Sequence, residues 1–147
     1  MNVDVDDLER AIAFYERGLG LRLGRRLFDG SVAEMRGASA TIYLMAKAAG
    51  TAASPAAASR RDYRRHWTPV HLDFEVTDVP AAVERAVVAG ATLEDGVQAF
   101  VWGRQATLSD PFGHGFCLLQ FARGGYDAVE DVAGDGAADH GVTKGAD

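Results

Sequence analysis

A chain of 147 residues, 48% of them hydrophobic and 24% charged, can bury one ordinary core and is short for two large domains. Its one cysteine, Cys117, excludes an internal disulfide and any multi-cysteine metal cluster. No run approaches the roughly 18 apolar residues of a membrane helix, and acids stand near the N-terminus where a signal peptide needs basic residues. A cytoplasmic protein without membrane contact is therefore expected.

The formal charge of −6 is unevenly spread: residues 123–147 hold six acids against Arg123 and Lys144, leaving only −2 for the first 122 residues. An acidic chain without an extended basic stripe excludes a general nucleic-acid binder.

In chain order, the first element is a short strand reaching Val5. A helix follows, in which Leu8, Ala11, Ile12, Tyr15 and Leu19 recur at helical spacing. Asp6 and Glu9 have the spacing of a capping box, and Gly18 and Gly20 mark the helix end. Three β-like segments come next, at about residues 21–28, 31–36 and 40–47. Residues 48–68 read as an Ala/Ser-rich linker that turns basic at Arg60, Arg61, Arg64 and Arg65. This basic run is read as a solvated, flexible face, with reception of an anionic or aromatic ligand as the alternative.

The opening then repeats. At an offset of 71, Val5, Asp7, Leu8, Ala11 and Ile12 fall on Val76, Asp78, Val79, Ala82 and Val83. The second helix has Asp78 as its cap and Pro80 in its first turn, and ends at Gly90. Strands are expected at about 93–102, 104–109 and 115–121. The fold class is α+β: two βαβββ modules, 1–47 and 69–122, in a single domain over 1–122. The Gly-, Ala- and Asp-rich segment 123–147 is expected to be disordered.

The segments "VDDLERAIAFYERGLGL", "HLDFEVTDVPAAVERAVVAGA" and "SDPFGHGFCLLQF", in this order, resemble the vicinal oxygen chelate superfamily, which contains glyoxalase I, bleomycin-resistance proteins and extradiol dioxygenases. The resemblance covers residues 1–122. It implies curved sheets that enclose a cup, the fold of glyoxalase, bleomycin-resistance protein and dihydroxybiphenyl dioxygenase. It also implies a symmetric homodimer.

In metal-dependent relatives a divalent ion is held by residues on the first and last strands of each unit, usually His or Gln and Glu. The resemblance places His71 at one such position, and Cys117 where the closing glutamate usually stands. It places Tyr43 at the corresponding point of the first unit; the offset gives His71 no counterpart in the chain. Strand alternation puts Asp73 and Glu75 on the face of His71. His71 thus reads either as a pocket histidine bonded to a carboxylate such as Glu75, the two forming an acid/base pair, or as a metal ligand. A zinc-like ion held by Cys117, His71 and Asp73 is the metal variant. Cys117 also reads simply as a small buried hydrophobe.

Trp67, Trp102 and Tyr43 offer flat apolar surface for a small-molecule ligand, His114 a rim, and Arg104 a guanidinium for a carboxylate or phosphate. Two functions stay open. One is a bleomycin-resistance-type protein that binds a small molecule in the cup without the usual catalytic metal; the other is a metal-dependent lyase, isomerase or dioxygenase.

Overall fold

A computed structural model describes residues 1–66 and 68–130; Trp67 and the 131–147 part of the acidic tail lie outside the described residues. From the N-terminus, β1 (Asn2–Val5) leads into α1 (Leu8–Arg17), then β2 (Arg22–Leu27), β3 (Val32–Arg36) and β4 (Ile42–Ala46). The second unit runs through β5 (Leu72–Glu75), α2 (Val79–Ala89), β6 (Thr92–Phe100), β7 (Gly103–Ser109) and β8 (Gly115–Phe121). Each unit makes a four-stranded sheet, in the orders β1-β4-β3-β2 and β5-β8-β7-β6. The opening strand pairs parallel with the closing strand in both, Asn2 beside Tyr43 and Asp73 beside Cys117, and the other pairs are antiparallel. Asn2 and Asp73, 71 residues apart, therefore hold the same register position.

The helix starts follow from their caps. The Asp78 carboxylate accepts from the Ala81 amide at 3.0 Å. In α1 the cap is Asp7, which accepts from the Arg10 amide at 3.0 Å. The expected box of Asp6 with Glu9 does not form, because Glu9 turns away to pair with Arg26 at 2.7 Å. Past the last turn of α1 the chain has room only for glycine at position 18: a Cβ on Gly18 would lie 3.1 Å from the Ala89 Cβ and 2.9 Å from the Phe14 carbonyl oxygen. Small residues thus let α1 approach the end of α2.

Each sheet lays one face on the helices. Val5, Ala33, Met35, Ile42 and Leu44 cover α1, Ala106, Leu108, Phe116 and Leu118 cover α2, and both sets belong to one apolar cluster. A fully buried Leu or Phe contributes roughly 1.5–3 kcal/mol. The units are joined through α1: Phe14, 2% exposed, sets its ring edge-on to Tyr15 and to Phe116 of the second unit. Beside it the Tyr15 hydroxyl donates to Asp110 at 3.2 Å.

Two segments differ from the sequence reading. The basic run is solvated, with Arg60, Arg64 and Arg65 exposed, but three of its arginines are also tied to carboxylates, which a flexible linker would not do. Arg61 reaches Asp4 at 2.6 Å, Arg64 pairs with Asp62, and Arg65 pairs with Glu94. The tail begins with order: residues Gly125–Val129 form a 3₁₀ turn in which the Tyr126 ring packs 4.8 Å from Phe121 and 5.2 Å from Trp102. One aromatic ring gives this stretch apolar area to bury, which a composition average conceals. Among the described residues no helix is long and apolar enough to cross a membrane.

Candidate functional site

Strand alternation decides which side chains leave the core. On β5, Leu72 and Phe74 join the core, leaving His71, Asp73 and Glu75 on the open face. Register then brings Cys117 of β8 beside Asp73, with Thr107 of β7 on its far side. His71 Nε2 lies 3.2 Å from Asp73 Oδ1, and the donor atoms of His71, Asp73 and Cys117 all fall within 4.8 Å of one another. The carboxylate paired with His71 is thus Asp73 and not Glu75. Four residues of extended strand separate Glu75 from His71, about 13 Å along the backbone, whereas two separate Asp73.

Cys117 is only 6% exposed. Burial pushes its thiol above the ordinary range and the Asp73 charge acts the same way, while contacts from Thr107 and Gln105 work against them. The thiol is therefore protonated at neutral pH unless a cation displaces the proton.

Two clefts flank β5 at the seam between the units. One, of about 520 Å³, has Val3, Leu72, Phe74 and Phe116 as apolar wall and receives His71, His114 and Asp110. The other, of about 570 Å³, takes Asp73 and Glu75 from β5, with residues 37–39 of the first unit opposite. The first has the character of an organic-ligand site, an apolar body with a few placed polar groups. The second is the more polar, with Arg85 and Gln120 beside the two carboxylates.

The other sequence candidates are dispersed. Tyr43 stands on the open face of the first sheet, in register with Asn2 and Glu34. Arg104 does not project into the cup: it pairs with Gln120, and the Gln120 side chain accepts from the Val79 amide at the start of α2, so both belong to the helix-covered face. Trp102 stacks on Phe100 with centroids 5.0 Å apart, near Phe121, at the end of the sheet away from His71. His114 does border the apolar cleft, but its ring nitrogens already face the Asp4 carbonyl and His66. Trp67 lies outside the described residues.

Sequence reasoning passed over three groups. Glu34 is buried, 2% exposed, and its carboxylate is held below the usual range, chiefly by a hydrogen bond from Arg36 and then by Arg25. The signal was Arg36 two residues along the same strand face. Asp110 accepts from the amides of Phe112 at 2.8 Å and His114 at 2.9 Å, besides the Tyr15 hydroxyl. Burial raises its pKa, and a charge on His114 opposes the rise. His66 was hidden among the arginines.

Paired units, open sheet faces and a ligand-sized seam meet one further observation: the sequence profile of the glyoxalase-like domain matches residues 1–119. The chain belongs to this family. With it comes membership of the vicinal oxygen chelate superfamily. The glyoxalase-like fold is shared with a glyoxalase/bleomycin resistance protein/dioxygenase family enzyme from Burkholderia phytofirmans, at 19% identity and TM-score 0.65, over 83% of this chain and 96% of that one. It is shared too with TnmS3, an antibiotic-binding protein from Streptomyces, at 27% identity and TM-score 0.58, over 83% and 93% of the chains. In sequence, the Mycobacterium tuberculosis protein Rv0887c is 44% identical over 57 residues, 38% of this chain and 34% of its own length. The match thus spans about a third of that relative.

At the first-sheet positions equivalent to Asp73 and Cys117 stand Asn2 and Tyr43, an amide and a phenol. Among the described residues, His71, Asp73 and Cys117 bring a nitrogen, an oxygen and a sulfur donor close together, a set suited to a zinc-like ion.

Proposed function

We propose that this glyoxalase-like chain binds a small organic molecule in the apolar cleft between its two units, as a bleomycin-resistance-type binding protein. The carrying observation is the cleft of about 520 Å³, with apolar walls from both units and His71 at its edge. The Streptomyces antibiotic-binding neighbour supports the same reading. A planar ligand rests its body on Phe74 and Phe116 and turns a polar group to His71, which lines the same cleft. A cationic group suits the neighbouring cleft with Asp73 and Glu75. The working form is a cytoplasmic homodimer, as the family resemblance implies.

Calorimetry against planar aromatic and cationic compounds tests this. Saturable binding that falls at least about tenfold in Phe74→Ala supports it, a loss of about 1.4 kcal/mol. Absence of binding throughout the panel, together with turnover of an added substrate, sinks it. Sedimentation of the same samples tests the dimer.

A second reading, a metal-dependent lyase, isomerase or dioxygenase, draws on the grouping of His71, Asp73 and Cys117 within 4.8 Å. These three residues would hold the ion, and a bound divalent ion supplies Lewis-acid polarisation of substrate oxygens. Elemental analysis decides it: stoichiometric metal lost in both His71→Ala and Cys117→Ser supports the reading, and unchanged trace metal rejects it.

A further inference from the structure

His66 and His114 meet where the linker passes over the turn before β8. His114 Nε2 lies 2.8 Å from the main-chain oxygen of Asp4, and His66 Nδ1 lies 2.9 Å from that of Arg64. A carbonyl only accepts, so each of these nitrogens carries a hydrogen. The other two nitrogens, His114 Nδ1 and His66 Nε2, face each other at 3.3 Å. In two neutral rings both would be lone pairs and would repel. One added proton converts the contact into a hydrogen bond, and three protons on two imidazoles give the pair a single positive charge.

The pair stands in a wall. His66, His114 and Asp4 border the apolar cleft between the units and also an outer groove containing Arg60, Asp62 and Tyr63. We propose that His66 and His114 share one proton and form a pH-operated clasp, which ties the linker and the β8 turn to β1 and closes this end of the apolar cleft.

The surroundings are built for contact. A Cβ on Gly113, whose φ is +83°, would run into the Arg64 carbonyl, so the linker lies on the turn at a distance only glycine allows. The His66 amide donates to the Gly113 carbonyl at 3.3 Å. Charged and titratable groups approach from every side. The linker contributes Asp62, paired with Arg64, and Tyr63, edge-on to His114; it also contributes Arg61, held by the Asp4 carboxylate of β1, and Arg65, held by Glu94 of β6. The turn contributes Asp110, which accepts from the His114 amide, and β5 contributes His71 at the same cleft. Asp62 and Asp110 both interact favourably with the charge of a protonated ring.

The direction is fixed by the proton count. At low pH the shared proton is present and the wall is closed. As pH rises the proton leaves to solvent, the facing nitrogens repel, one ring turns, and cleft and groove join.

Long-range proton–nitrogen NMR of the full chain, dialysed against chelator and titrated from about pH 5 to 8, tests this. The expected result is one proton lost by the two rings together, with His66 Nδ1 and His114 Nε2 protonated throughout. Protection of the His66 amide, corrected for intrinsic exchange, falls about tenfold over that range. In His66→Gln the joint step disappears, and the unmodified chain decides the question even where that variant fails to fold. Two independent single-ring titrations overturn the proposal, as do facing nitrogens that stay unprotonated at the lowest pH. Spectra that change on removing metal also overturn it, by putting an ion in place of the proton. None of these readouts depends on the small-molecule reading of the cleft.

Discussion

Across the open face of the first sheet run Asn2, Tyr43, Glu34 and Arg25; across the second run Asp73, Cys117, Thr107 and Asp95. The topology is the same and the chemistry is not. In the first row the buried Glu34 is clasped by Arg25 at 3.0 Å and Arg36 at 2.6 Å, so its charge is spent on neighbours within the sheet. In the second, His71 and Asp73 stay substantially exposed beside a protonated thiol, with side-chain exposures of 42% and 46%. On the proposed binding reading, the repeated fold assigns different work to its halves: the first completes the cleft and supplies α1 as a shared support, and the second presents groups to a ligand.

If α1 is the shared support, breaking it should cost both halves. Phe14→Ala removes a ring that touches Tyr15 and reaches Phe116 of the other unit. We expect about 3–5 kcal/mol of lost stability, with both sheets unfolding in one transition by denaturant titration. Separate transitions for the two units would show that the join is weaker than its packing implies. Tyr15→Phe probes the same join more gently and should cost about 1–3 kcal/mol, as Asp110 loses one of its three donors. Because burial raises the Asp110 pKa above its unfolded value, the native state holds this proton more tightly. Its contribution is therefore present at low pH and declines as pH rises from about 4 through the raised value. Asp110→Asn should remove that decline from a stability–pH curve.

How much of this could be read from the sequence depends on the range of the signal. The repeat, both helix positions and the alternation of His71, Asp73 and Glu75 are local and periodic, and all recur in the structure. The approach of Cys117 to Asp73 depends on a parallel pairing between strands more than 40 residues apart, which the resemblance supplied and spacing did not. Arg104 was misplaced because its face depends on the β6–β7 turn. That turn starts β7 at Gly103, so Gln105 and not Arg104 shares the side of Cys117 and Thr107. Glu34 had a local signal in Arg36, two residues along its strand face, whereas the His66–His114 contact was illegible for a further reason. It needs a partner 48 residues away selected by tertiary geometry, and local composition described His66 as part of an ordinary charged run.

The smallest effect belongs to the first sheet and tests the contrast most directly. Glu34→Gln keeps the shape of the side chain and removes its charge from between two arginines that are each 60% exposed. Solvent screens such pairs, so the loss should be well below that of Tyr15→Phe. The sign with pH is the reverse of that for Asp110. The Glu34 pKa is lowered from the ordinary 4.5 by its arginine partners, so its stabilisation is complete above that value and is lost as pH falls through the lowered folded value. The variant should therefore match the unmodified chain most closely in acid and differ most near neutrality. Ligand affinity in the seam should not change, because Glu34 borders neither of the clefts along β5. A loss of affinity in Glu34→Gln without unfolding would assign the first sheet a direct part in binding, and the division of work between the halves would fail.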